Sequence, residues 1–283
     1  MKLLRFGVAG REHPGLLDAS GVIRDLSDLI EDWNPANLEA GTLARIAGLA
    51  HDKLPAVQAT TRLGIPIAGV RKFIAVGMNY RDHAAEANRP IPKEPAVFTK
   101  AISCLAGPSD DLMLPRDSTH TDWEVELGVV IGRTARYVES HHALGHVAGY
   151  CLVNDISERE YQNDRGGTWD KGKGCDGFGP VGPWLVTADE IADPQSVDLW
   201  LDVNGIRHQT GNTRTMIFGV AELIAYVSCF ITLEPGDVLA TGTPAGVGAG
   251  MKPPVFLKAG DVMRLGSPQL GVQEQKVKSW RRM

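Results

Sequence analysis

Short apolar runs recur along the chain at close intervals, and glycine or proline closes most of them. FIAVG, AVFTK, EVELGVVIG, GYCLVND, VDLWLDVNG, DVLATG and DVMRLG combine aliphatic or β-branched residues with a turn residue nearby, the pattern of strands. The Asn204-Gly205 pair inside VNGIRHQ marks a hairpin turn. Helical spacing is rarer. It predicts helices near Asn37–Gly48, Tyr80–Ala87, His141–Val147 and Phe218–Phe230. Many strands and few helices predict a mixed α/β, mainly β architecture. The texture changes after RLGIPIAG, which reads as a linker. Residues 1–66 form a small N-terminal α/β unit with short strands in LLRFGV, GLLDASG and VIRDLS, and 67–283 carry the rest.

The chain has 283 residues, 43% of them hydrophobic and 22% charged, enough apolar material for a substantial core. The net charge of −5 and the absence of a basic stripe argue against nucleic acid as a partner. The N-terminus lacks a signal-peptide pattern. The longest apolar run, VAELIAYVSCFITL, is interrupted by Glu222 and is too short to span a bilayer, so no membrane partner is expected. Cys104, Cys151, Cys175 and Cys229 are scattered without CxxC spacing, as expected of reduced thiols in a cytoplasmic protein.

One strand poses a problem. In TDWEVELGVVIG, Glu124 and Glu126 sit two apart, which in a strand puts both carboxylates on one face. An isolated ExE usually faces solvent. Here it runs straight into Leu127–Ile131, a run expected of a strand buried on both faces, so the pair needs positive compensation. Lysine, arginine or a divalent cation could supply it. Asp155 ends another apolar strand, GYCLVNDIS, where it either aims into a pocket or caps a turn. Together the three acids make an all-oxygen set suited to Mg²⁺, Mn²⁺ or Ca²⁺, with coordination positions left over for substrate or water.

Other residues carry candidate chemistry beside an ordinary structural role. His83 and Glu86, three apart on a predicted helical turn, are either a surface pair or a histidine oriented as a general base. Lys173 lies in the glycine-rich WDKGKGCDGFGP, which lacks P-loop spacing; Lys171 beside it reads as a bystander. Lys100 ends a strand or adds charge to the substrate site. Arg159 and Gln162 follow Asp155 on a polar helix face, and Thr243 lies in the turn-like ATGTPAGVG. His141, His142 and His146 fall on a surface helix with no chemistry assigned. Trp169 and Trp184 either line a pocket or, as such residues more often do, pack.

Seven ordered segments, GMNYRDHAAEA, EPAVFTK, WEVELGVVIG, GYCLVNDISERE, KGKGCDGFGPVGPW, NTRTMIFGVAELIAYVS and LEPGDVLATGTPAGVG, resemble the fumarylacetoacetate hydrolase family from about Lys72 to the end. The resemblance implies a β-roll with a small N-terminal domain, a homodimer, and a Mg²⁺ (or Mn²⁺) ion on Glu124, Glu126 and Asp155. It implies that His83 and Glu86 are a catalytic pair on a lid, and that Lys173 stabilises negative charge. Arg159 and Gln162 then contact substrate, and Thr243 bonds its carboxylate. The name-giving members add a fourth carboxylate ahead of the lid histidine, where this chain has Asn79. That departure argues against fumarylacetoacetate itself as substrate. TDWEVELGVVIG, NDISERE, RGGTWDKGKGCDGFGP and GNTRTM are most similar to hydrolases of 2,4-diketo-3-deoxy-L-rhamnonate or L-fuconate, enzymes of sugar-acid catabolism. The implied reaction is hydrolysis of a C–C bond through an enolate held by the metal, giving pyruvate and a second acid. Ureidoglycolate lyase, oxaloacetate decarboxylase and 2-hydroxyhepta-2,4-diene-1,7-dioate isomerase are alternatives within the same family.

Overall fold

The computed structural model describes residues 1–282. Mixed α/β and mostly strands, it is organised around a ten-stranded sheet. At its centre lie Val147–Asn154 and Val125–Ile131, antiparallel, with Glu126 opposite Val153 and Val125 opposite Asn154. Every residue of Val125–Ile131 is buried, as the unbroken apolar run requires. Val238–Ala240 flanks this strand, followed by Phe73–Gly77 and Ala96–Lys100. On the other side Gly179–Thr187 pairs with Val147–Asn154 and then with Lys2–Phe6, so the N-terminal strands extend the same sheet. A five-stranded sheet carries the Asp198–Val203/Ile206–Asn212 hairpin and the strands Val262–Ser267 and Gly271–Lys278.

The helices are short. Val220–Ser228 buries Val220, Leu223, Ile224 and Val227, the i, i+3, i+4, i+7 stripe of a helix lying on a core. Its start is fixed by Glu222, which accepts from the Gly219 amide at 2.8 Å. The helix expected at Tyr80–Ala87 spans Arg81–Glu86.

The expected continuous strand through Thr121–Gly132 is interrupted. Thr121–Asp122 pairs with Ser157–Glu158, whereas Val125–Ile131 pairs with Val147–Asn154. Trp123 and Glu124 fall in the gap, where side chains take over the backbone bonds: the Glu124 amide donates to Asn154 Oδ1 at 3.2 Å and the Val125 amide to Gln209 Oε1 at 2.9 Å. The change of pairing partner at this point opens the sheet, and the acidic side chains occupy the opening. Among the described residues no helix is long and apolar enough to cross a membrane.

Candidate metal centre and active site

Glu124, Glu126 and Asp155 are all buried, and each offers an oxygen within 4.8 Å of the other two. Their neighbours are cationic. Lys173 Nζ donates to Glu124 Oε2 at 2.7 Å and to Asp155 Oδ2 at 2.6 Å. Arg159 Nη2 lies 2.7 Å from Glu124 Oε1 and 2.7 Å from Asp122 Oδ2. Lys100 Nζ donates to Asp155 Oδ1 at 2.6 Å.

Glu126 differs. Its Oε2 accepts from the Gly242 amide at 2.8 Å, and among the described residues no lysine or arginine lies within ion-pair distance of it. Burial, reinforced by the Asp155 and Glu124 charges, pushes its carboxyl well above the ordinary range. Burial would also raise Glu124, but the Lys173 and Arg159 charges outweigh it and bring that carboxyl down to about 2. Among the described residues, the cluster of Asp122, Glu124, Glu126 and Asp155 draws its ion pairs from Lys100, Lys173 and Arg159, four acids against three lysines and arginines. With Glu126 ionised the cluster would carry one uncompensated negative charge, the cost that holds its carboxyl up and that a bound cation would offset. A dication would leave one net positive charge, suited to an anionic substrate. The donor set and the deficit both fit a hard divalent ion.

The cluster opens into a cavity of about 960 Å³ lined by Glu124, Glu126, Lys173, Arg159, His83 and Glu86 among others. On the short helix, His83 Nδ1 meets Glu86 Oε2 at 3.1 Å. Glu86 Oε1 accepts from the Gly246 amide at 2.9 Å, so the glycine-rich loop fixes the carboxylate that fixes the imidazole. A side chain at Gly250 would run into Glu86, its Cβ lying 2.4 Å from the carboxyl carbon. Gly242 has φ +95° and places its amide on Glu126, and a Cβ there would lie 2.7 Å from Asn79 Cβ.

The remaining candidates divide. Gln162 and Thr243 line the cavity. The Gln162 carbonyl accepts from Arg159 Nη1 at 3.1 Å, and the Thr243 hydroxyl is committed to Val125 O and Gln209 Nε2 at 2.9 and 2.7 Å. Lys100 is placed behind the cluster rather than on the cavity wall. Its side chain has no exposure and its ammonium also donates to the Ile156 and Lys173 carbonyls. Lys171 is exposed and bonds the Arg165 carbonyl. Trp169, read as packing, stands on the cavity wall edge-on to Phe98 with ring centroids 5.3 Å apart. Asn79 is a buried clamp. Its Nδ2 donates to Thr241 O and Phe218 O at 2.8 and 3.0 Å, and its Oδ1 accepts from the Phe218 amide.

Asp122 escaped the sequence reading. Fully buried, it accepts from Arg159 Nε at 2.8 Å and from the Gly248 and Ala249 amides at 2.7 and 3.0 Å. It therefore ties the arginine of the cluster to the loop that holds Glu86. The signal was present as a third carboxylate in alternation, Asp122, Glu124, Glu126.

The fold and this acid-rich opening define a family. Residues 72–278 match the model of the fumarylacetoacetate (FAA) hydrolase C-terminal domain, and the chain belongs to the fumarylacetoacetate hydrolase family. A protein of Burkholderia ambifaria that carries only a provisional hydrolase name is 57% identical over 99% of both chains. The structure of a fumarylacetoacetate hydrolase from Exiguobacterium antarcticum is similar at 36% identity, with a TM-score of 0.85 and coverage of 99% of this chain and 100% of that one. So is that of a maleylpyruvate hydrolase from Sphingobium sp. SYK-6 in complex with manganese(II) and pyruvate, at 30% identity, TM-score 0.83 and coverage of 99% and 100%. Solved relatives include isomerases as well as hydrolases.

Proposed function

We propose that the protein is a Mg²⁺- or Mn²⁺-dependent hydrolase of the acylpyruvase type, cleaving the C3–C4 bond of a 2,4-diketo acid to release pyruvate and a second acid. The observation that carries this reading is Glu126, a buried carboxylate without a cationic partner, sharing a cavity with a histidine–glutamate pair. A divalent cation held by Glu124, Glu126 and Asp155 would supply Lewis-acid polarisation of the substrate's 2-oxo group.

The chain's own groups supply the rest. Glu86 accepts from His83 Nδ1–H, so in the neutral imidazole Nε2 is the nitrogen free to take a proton from water. The water oxygen adds to the C4 carbonyl, the C3–C4 bond breaks, and its electron pair passes through C3 to the 2-oxo oxygen. Lys173, on the cavity wall, adds fixed positive charge where that negative charge grows, a contribution typically worth about 3 kcal/mol. Return of the proton to C3 completes pyruvate. Arg159 and Gln162 are placed to contact the rest of the substrate.

A complex of the Sphingobium relative with manganese(II) and pyruvate supports the product half of this reading. The 2,4-diketo-3-deoxy sugar acids are the first substrates to test, by coupling pyruvate release to lactate dehydrogenase with and without Mg²⁺. Metal-dependent pyruvate release supports the reading. Conversion of a dienoic 2-oxo acid without C–C cleavage would overturn it in favour of isomerisation, the second reading that the isomerases among the solved relatives favour.

A further inference from the structure

A second group of ligand-type side chains lies on the segments that flank the Asp122–Arg159 pair. His120, Glu158 and Glu160 each offer an atom within 4.8 Å of the other two. Glu158 has no exposed surface. The hydroxyls of Ser118 and Thr121 both donate to its Oε2, the latter at 2.7 Å, while its Oε1 is enclosed with no hydrogen-bond partner among the described residues. A buried carboxylate oxygen with nothing to accept from is rare, and a ligand is one of the few ways to satisfy it. The other two side chains are held in a way that leaves an atom over. Arg165 bonds Glu160 Oε1 at 3.0 and 2.7 Å, leaving Oε2. His120 Nδ1 meets Thr119 Oγ1 at 2.9 Å, and the ring rests on Phe256 with centroids 4.7 Å apart, leaving Nε2. Ligating histidines and carboxylates are usually steadied in this manner, one atom bonded to protein and the other to the ion.

We propose that His120, Glu158 and Glu160 form a second metal site, separate from the carboxylate cluster and selective for a first-row transition dication such as Zn²⁺. The imidazole sets the selectivity: a nitrogen-plus-carboxylate set favours Zn²⁺ over Mg²⁺, whereas the all-oxygen cluster suits Mg²⁺. Its place in the fold gives it a structural consequence. Thr121–Asp122 pairs with Ser157–Glu158, and the Arg159 amide donates to the His120 carbonyl at 3.0 Å. An ion on the three side chains cross-links the two segments that carry Asp122 and Arg159 toward the cavity, and so braces the active site from outside it.

The test uses full-length protein, stripped by chelator, saturated with Mg²⁺, equilibrated with Zn²⁺ and dialysed against Mg²⁺, with zinc per chain measured by mass spectrometry. His120→Ala and Glu160→Gln alter partly or fully exposed positions, and circular dichroism checks their folding. Wild type is expected to retain one zinc per chain that His120→Ala loses, with Glu160→Gln weakening it by about tenfold or more. Glu126→Gln, which alters the carboxylate cluster, is expected to keep that zinc, so failure of the proposed reaction would not mimic failure of this site. Equal zinc in wild type and His120→Ala, or none retained by wild type, would overturn the site.

Discussion

Asp122→Asn tests whether one buried carboxylate holds the active site together. The change is nearly isosteric, so its effect is chemical. Oδ2 accepts from Arg159 Nε at 2.8 Å and from the Ala249 amide, with the charged Nη2 2.7 Å away, and Oδ1 accepts from the Gly248 and Trp123 amides at 2.7 and 2.8 Å. An amide accepts on one side only. With its NH₂ toward Arg159 it sets donor against donor; turned round, it abandons the two amides on Oδ1. Arg159 also loses a counter-charge while nearly buried. Breaking one side of such a pair costs about 3–5 kcal/mol. At about 2–4 °C per kcal/mol for a chain approaching this size, the melting temperature should fall by about 6–20 °C. A local readout separates this from general weakening: the Gly248 and Ala249 amides should exchange hydrogen about 10²-fold faster or more, since each 1.4 kcal/mol is tenfold. Unchanged exchange at these amides, with a melting temperature within about 2 °C of wild type, would refute the argument.

Two further outcomes are expected. Asn79→Ala removes a side chain that satisfies the Phe218 amide, the buried Thr241 carbonyl and the half-buried Phe218 carbonyl, so unfolding monitored by calorimetry should show a loss of about 3–5 kcal/mol; a loss under about 1 kcal/mol would mean that water replaces those bonds. Burial raises the Cys104 thiol to about 11 and Cys151 to about 12, so near pH 8 fewer than about one in a hundred of either is thiolate and both should resist Ellman's reagent in folded protein, whereas exposed Cys229 reacts first. As pH rises toward those values the two buried thiols gain thiolate and should become more reactive.

Much of the site was legible because its chemistry is local. Glu124, Glu126 and Asp155 announced themselves as acids beside apolar strands, and His83 and Glu86 meet across one helical turn. What the sequence concealed depends on long-range pairing. Asp122 acquires its role only because residues 246–250 and Arg159 come from elsewhere in the chain to meet it. Lys100 ends its strand as expected, yet the same strand carries it behind Asp155 instead of onto the cavity wall. The break at Trp123–Glu124 arises because two different strands pair with the two halves of one apolar run. The same limit applies to Lys2–Phe6, whose pairing with Gly179–Thr187 no local pattern in the first residues foretells.

The central claim is that three acids share one divalent ion. A crystal grown with Mn²⁺, with data collected for anomalous scattering, tests it directly. The account predicts a single strong peak among these residues, with oxygens of Glu124, Glu126 and Asp155 at about 2.0–2.3 Å. It also predicts that Glu126→Gln abolishes the peak. A peak located elsewhere while this cluster stays empty, or one unaffected by that substitution, would contradict it.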